Sequence, residues 1–503
     1  MKHFQAFLKY EAKLNHLRSL EELLAWDQQV CMPSKALHNR TQINTTLAKE
    51  IHEQASHQKR HDLIGEAKEE LRQKKPDDKI STAQILEAEK DYLNVSSLPQ
   101  SLVEKRSLAE GKGYETWIEA CEKKEFKVFK GALGELIELK KEQAHYKKEA
   151  LYAYIKSDDL YDYLLCDFDP DIKAKQCDEY FSDLKTFLIP IVERSAQEPS
   201  PAFHLIKGKH LYYSEDKQEA FAKEVVQKIG FDFSKGRVDR ARHPFCIGLP
   251  NDVRITTRYR EHDFTDSFFS LIHEAGHGLY EQQLPAEWEG TPLGVARSMS
   301  LHESQSRLWE NSVARSFSFW KGFYPKMKTM FPNVFSTISL EDFVKLLNAV
   351  EIQPIRTDAD ELTYNLHIIL RYELERALLS GDLKVDDLPA AWDEKSEKML
   401  FLKPKNIREG VLQDIHWSDG AFGYFPTYAI GNLIAAQLME KAHQEMNLNE
   451  NFEKGDFEPL RKWLREKVHS KGSSMSTDEI LKNSTGKSLS TGPLKNHLVS
   501  LTN

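Results

Sequence analysis

The sequence predicts a large, mainly α-helical protein that carries one small antiparallel β-sheet. Two observations predict this. Apolar residues recur at three- and four-residue steps along most of the chain, as amphipathic helices require. A period of two is convincing only between about residues 203 and 259. In addition, no repeat, low-complexity stretch or sharp change of composition divides the 503 residues. We therefore read 1–503 as one domain, which could form two lobes around a cleft.

The first helical pattern runs from Phe4 to about Val30, where Phe7, Leu8, Leu14, Leu17, Leu20, Leu23 and Leu24 keep the spacing. Similar patterns run through Thr41–Leu71, Thr82–Leu93 and Leu133–Lys156. The charged stretch from Glu66 to Lys79 reads as a solvated helix end, followed by a turn at Pro76-Asp77-Asp78. Val253, Ile255, Thr257 and Tyr259 alternate with Asp252, Arg254, Thr256 and Arg258, which is a strand. Phe203–Tyr213 is its expected partner. Helices return at Ser267–Gln282, Ser298–Lys321, Leu340–Val350, Glu361–Ser380 and Ala429–His443.

Composition removes several classes of function. Sixty-nine basic against 78 acidic residues leave a formal charge of −9, unlike the basic stripe of a phosphate-tracking protein. Cys31, Cys121, Cys166, Cys177 and Cys246 are odd in number and scattered, without a C-x-x-C pair. Neither a disulfide framework nor a thiolate zinc site is expected, and a reducing cytosol fits. The N-terminus, MKHFQAFLKYEAKLNHL, is too charged for a signal peptide. No stretch reaches the ~18 uncharged apolar residues of a membrane span. These features predict a cytoplasmic protein that binds neither nucleic acid nor membranes.

The chemistry is carried first by His273-Glu274-Ala275-Gly276-His277, an H-E-x-x-H motif within the run SFFSLIHEAGHGLY. Positions i and i+4 share one face of a helix, so His273 and His277 can grip one zinc ion together. Glu274, beside the first ligand, can take a proton from the attacking water and pass it to the departing amine. The plainer reading is a pair of surface histidines, but Phe268, Phe269, Leu271, Ile272 and Leu279 surround them. Gly276 and Gly278 cost a helix up to ~1 kcal/mol each relative to Ala, so something is expected to approach the backbone closely there.

A catalytic zinc needs a third protein ligand and an open position. The chain after the second histidine reads GLYEQQLP, so no histidine stands at the metzincin spacing. The next candidates are His302 and Glu303, the latter 26 residues after His277; spacing alone does not separate them.

Arginine suits a peptide's terminal carboxylate, because its planar fork makes two parallel bonds. Arg254 lies on the expected strand between Asp252 and Thr256, and Arg356 in the run IRTDAD before an apolar helix. A salt bridge to a nearby aspartate explains either arginine equally well. The stretch Gly410–Tyr428, GVLQDIHWSDGAFGYFPTY, could line a pocket or fill core.

Taken in order, these motifs resemble those of the carboxypeptidase Taq-type zinc carboxypeptidases. The resemblance spans nearly the whole chain. It runs through Trp26-Asp27, Met32-Pro33, His243-Pro244-Phe245, the Asp252–Thr256 motif, the HEAGH helix and His302-Glu303-Ser304. It ends in the Ile355–Asp360 motif and Gly410-x-x-Gln413-Asp414-x-His416-Trp417. It implies Glu303 as the third ligand to Zn2+ (Co2+ could substitute), Glu274 as general acid and base, a long groove and a homodimer. It implies broad C-terminal specificity on peptides with a free C-terminus, with proline disfavoured. Similarity to other groove-shaped zinc peptidases points to His416 and Tyr424 opposite the metal. Arg254 and Arg356 are then the choices for the carboxylate, with Tyr428 as a helper. The rivals are a zinc endopeptidase or dipeptidyl-peptidase on the same scaffold, and a helical scaffold without metal.

Overall fold

A computed structural model describes residues 1–197, 200, 202 and 211–502. Four helices open the chain: α1 (Lys2–Val30), α2 (Leu37–Ser56), α3 (Gln58–Lys74) and α4 (Lys79–Ser96). The expected helix over Thr41–Leu71 is thus two, broken at His57. That residue leaves the helical region with ψ 137° and caps α3 through its ring, which accepts from the Lys59 amide. Phe4, Phe7, Ile64, Ala67, Leu71, Ile85 and Ala88 give these helices a small core of their own. The charged end of α3 is not wholly solvated. Glu70 is buried and accepts from the amides of Lys2, His3 and Phe4, satisfying the first turn of α1.

Next come α5 (Gln100–Lys123), α6 (Phe126–Ile155), α7 (Asp162–Leu165), α8 (Ala174–Gln197) and α9 (Glu215–Ile229). Of these, only α6 was legible as an amphipathic run.

Three strands follow: β1 (Gly236–Arg240), β2 (Cys246–Leu249) and β3 (Asp252–Thr257). The sheet is mixed, not antiparallel as expected. Successive strands reverse direction, but β3 inserts between the first two, giving the order β1-β3-β2. It therefore runs parallel to β1 (Val238 opposite Ile255) and antiparallel to β2 (Gly248 opposite Val253). The β2–β3 turn is Pro250-Asn251, with Asn251 at φ 55° after a proline that fixes its own φ. The expected partner strand, Phe203–Tyr213, lies outside the described residues except for Leu211–Tyr213, which form no strand.

Beyond the sheet the chain is helical again. It runs through α10 (Phe264–Gln282), α11 (Met299–Arg307), α12 (Phe317–Met330), α13 (Pro332–Phe335), α14 (Leu340–Leu347), α15 (Glu361–Ser380) and α16 (Leu388–Leu400). The last helices are α17 (Pro426–Glu445), α18 (Leu448–Glu453), α19 (Glu458–Lys467), α20 (Thr477–Thr485) and α21 (Gly492–Thr502). The structure is about 70% helical. One continuous core joins α5 to α21 and includes the inner face of the sheet.

The helix α10 is seated at the middle of that core. Asp263 caps it by accepting from the amides of Thr265 and Asp266. Phe264 and Phe268 then turn into a cluster with Phe221, Phe319 and Trp320, with ring centroids 5.1–6.4 Å apart. Across from α10, α1 brings Trp26 over the Arg254 guanidinium at 4.1 Å and Arg237 at 5.1 Å. The helices of the small core are thereby packed against the sheet through Trp26.

Candidate metal centre and active site

The expectation that something crowds Gly276 and Gly278 holds in detail. A Cβ on Gly276 would lie 2.6 Å from the Cα of Ser306 and 2.7 Å from the Gln305 carbonyl oxygen. The backbone of α11 therefore rests directly on α10. On Gly278 a Cβ would meet the Phe231 ring at 2.7 Å. A third glycine, Gly431 on α17, makes room for Glu303: a Cβ there would stand 2.9 Å from its Cγ. Close helix packing brings Glu303 to the histidines.

His273, His277 and Glu303 each offer a ligand atom within 4.8 Å of the other two, the one such group among the described residues. Glu303 Oε2 lies 3.4 Å from His273 Nε2 and 3.3 Å from His277 Nε2. His302, the other candidate third ligand, is turned to the far nitrogen of His277. Two imidazoles and a carboxylate, each steadied from behind, are a donor set that fits zinc.

The steadying groups are specific. His273 Nδ1–H donates to Glu310 Oε2 at 2.8 Å. Arg307 gives Nε–H to Glu303 Oε1 at 2.9 Å and Nη1–H to Glu310 at 3.2 Å, and lies over the Tyr364 ring. Glu310 sits in a π-helical turn, Leu308–Val313, that breaks the single helix expected over Ser298–Lys321. On the other ligand, His277 Nδ1 meets His302 Nδ1, and His302 Nε2 meets Glu281 Oε1 at 2.7 Å. Sequence reasoning missed Glu310 and Glu281. Glu281 was legible as the next i+4 step after His273 and His277.

Charge follows this wiring. Burial opposes ionisation of Glu303, yet His273 and Arg307 hold its carboxyl well below the usual range. Burial likewise works against Glu310, but Arg307 and His273 bring it down to about 2. Burial pushes the Glu274 carboxyl up to about 7, with His273 opposing and Glu303 reinforcing the rise. A buried carboxyl poised near neutrality is suited to taking and returning a proton.

A second cluster gathers Arg356, His416, Tyr424 and Tyr428. The Tyr428 hydroxyl and His416 Nε2 are 3.2 Å apart, and the Tyr424 and Tyr428 rings 5.2 Å. Burial drives His416 down to about 4 despite Asp414, so its ring is neutral at pH 7. Burial raises Tyr424 to about 12, and the charge of Glu303 adds to the rise. Arg356 is buried, with Nε–H to Asp414 at 2.9 Å and Nη1–H to the Tyr364 hydroxyl at 3.2 Å.

One further residue, unmarked in the sequence, holds this loop. Glu375 of α15 is fully buried and accepts from Tyr161 Oη (2.7 Å), Trp417 Nε1 (2.8 Å) and the Gly423 amide (3.1 Å). Gly423 has φ 92°, where a side chain would be strained and would strike Leu164.

Arg254 is bonded within its own strand, β3. Its fork grips Asp252 at 2.9 and 2.7 Å beneath Trp26. Both arginines therefore make the aspartate bridges that the plainer reading foresaw. Each also has guanidinium N–H groups that these bonds leave unused.

A helical scaffold with an H-E-x-x-H pair, a glutamate from a neighbouring helix and a buried acid beside them defines a helical metallopeptidase. The chain belongs to the carboxypeptidase Taq (M32) metallopeptidase family, whose model matches residues 6–501, and it is a metallocarboxypeptidase on that membership. It is 38% identical to thermostable carboxypeptidase 1 of Thermus thermophilus, over 98% of this chain and 97% of that protein. With carboxypeptidase 1 of Bacillus subtilis the identity is 35%, over 97% and 95%. Among solved structures, an M32 carboxypeptidase from Deinococcus radiodurans superposes with a TM-score of 0.93 at 34% identity, covering 99% and 98% of the two chains. Metallocarboxypeptidase 1 of Trypanosoma cruzi gives 0.94 at 32% identity, covering 100% and 99%.

Proposed function

We propose that this protein is a zinc-dependent carboxypeptidase that releases single C-terminal residues from peptides by hydrolysis with an activated water. The observation that carries the reading is the convergence of His273, His277 and Glu303 within 4.8 Å, beside a buried Glu274. Zinc in that donor set supplies Lewis acidity to the water and the scissile carbonyl. Glu274 takes the proton of the attacking water and returns it to the departing amine. Neutral His416, or the Tyr424 hydroxyl, donates to the oxygen that gains negative charge. Arg356 and Arg254 offer their spare N–H groups to the terminal carboxylate, and Tyr428 supports Arg356, whose guanidinium lies 4.9 Å from its ring centroid. Fixing that carboxylate presents only the last peptide bond to Glu274. The reading includes broad specificity with proline disfavoured, since a C-terminal proline leaves the scissile nitrogen without a hydrogen to donate.

The proposal also takes residues 1–503 as one catalytic unit working as a homodimer in the cytoplasm. Five free cysteines are in keeping with a reducing compartment. No described helix is long and apolar enough to cross a membrane.

The test is to incubate the zinc-loaded protein with an N-blocked peptide and follow products by mass spectrometry, with a chelator control. We expect a ladder shortened one residue at a time from the C-terminus, abolished by chelator and absent for the amidated peptide. Internal fragments or dipeptides would replace this reading by an endopeptidase or dipeptidyl-peptidase.

A further inference from the structure

His302 and Glu281 have no part in the proposed reaction, yet they form a directed path to the metal centre. We infer that they act as a positioning relay for the metal: Glu281 fixes His302, and His302 fixes the ligand His277. The inference rests on the metal-binding reading of His273, His277 and Glu303.

Hydrogen-bond inventory sets the direction of the relay. A histidine that offers Nε2 to a metal carries its proton on Nδ1. His277 Nδ1–H then points at His302 Nδ1, which must accept. A neutral imidazole that accepts at Nδ1 donates at Nε2. His302 Nε2 does find an acceptor, Glu281 Oε1 at 2.7 Å. Every donor along the line has one acceptor, and reversing any tautomer would leave two donors or two acceptors facing each other. The two imidazole planes differ by 23° with ring centroids 4.4 Å apart, so the rings also pack on each other as their Nδ1 atoms meet.

Glu281 is itself fixed. It is one turn beyond His277 on α10, and it fills the space over Gly248 of β2, where a Cβ would stand 2.3 Å from its Cδ. The Tyr280 ring lies 5.5 Å from that of His302. The two histidine ligands are thus steadied differently: His273 meets the Glu310 carboxylate directly, whereas His277 receives the Glu281 charge through a second ring.

The test measures zinc affinity directly, by competition with a chromophoric chelator at pH 7. Wild type is compared with His302→Ala, His302→Asn, Glu281→Gln and the double variant Glu281→Gln/His302→Ala. Far-UV circular dichroism in chelator checks that each variant folds. We expect His302→Ala to weaken zinc binding roughly 10–100-fold. His302→Asn should recover much of this, because its Oδ1 can accept where the ring Nδ1 did. Glu281→Gln should weaken binding less than His302→Ala. The double variant should bind no more weakly than His302→Ala alone, because Glu281 acts through His302. Wild-type affinity in His302→Ala, or losses that add in the double variant, would overturn the relay while leaving the metal centre standing. Failure of the wild type itself to bind zinc would remove the metal reading and the relay together.

Discussion

Glu274 meets both demands on a general base, burial beside the ligands and a carboxyl lifted to about 7. Glu274→Gln keeps the shape and removes the proton traffic. Turnover should fall by about 10²–10⁴ while stoichiometric zinc is retained, as kinetics and metal analysis on the same sample will show. The two arginines should separate by stability. Arg356→Ala leaves buried Asp414 with Arg371 alone, and should cost about 2 kcal/mol in urea unfolding as well as weakening free-acid peptides. Arg254→Ala removes a partly exposed pair and should cost below about 1 kcal/mol, its effect falling on KM. At this scale the sequence was readable where function is local. His273, Glu274 and His277 announce themselves within five residues, whereas Glu310 and Glu375 look like any helical glutamate until their partners fold against them.

At the scale of elements, the site depends on how closely α10, α11 and α17 approach. Gly276→Ala forces the backbone of α11 away and should lower both zinc affinity and thermal stability. Gly431→Ala presses on Cβ and Cγ of Glu303 and on the Ser300 carbonyl oxygen, so α11 must shift with its ligand, and chelator competition should show weakened zinc together with a loss of stability. The tie from α15 to the loop of His416 and Tyr424 predicts a pH signature. Burial raises the Glu375 carboxyl from 4.5 to about 7. A pKa higher in the folded state gives a contribution that is complete below about 4.5 and lost as pH climbs through about 7. Urea unfolding should therefore show wild type losing about 3 kcal/mol across that window relative to Glu375→Gln. The long helices were legible because their apolar spacing repeats over several turns. The parallel pairing of β1 was not: its sequence, GRVDR, has no clean alternation, and its neighbour in the sheet is decided by where β3 inserts. The break at His57 and the π-turn were hidden because both interrupt runs whose apolar spacing continues across them.

The described residues form two unequal cores, one of seven buried apolar residues among α1, α3 and α4 and one running from α5 to α21. In α2 the one buried residue is Ala55, so this helix has little to hold it. Hydrogen exchange followed by mass spectrometry should find α2 exchanging far faster than α10, α15 and α17, whose amides should open only with global unfolding. The contact of α1 with the sheet was not legible in the sequence, since it joins residues more than two hundred positions apart.

That contact also has a place in time. The partners of the small core are all made by Ala88, but Arg254 follows Trp26 by 228 residues. At roughly 5–20 residues per second on the ribosome, the first lobe is complete about 10–30 seconds before the strand that covers its tryptophan exists. For that interval Trp26 lacks the two guanidinium groups that later stack on it. Docking of the strand beneath it is then a late step that covers the tryptophan and completes the surface of the first helices together.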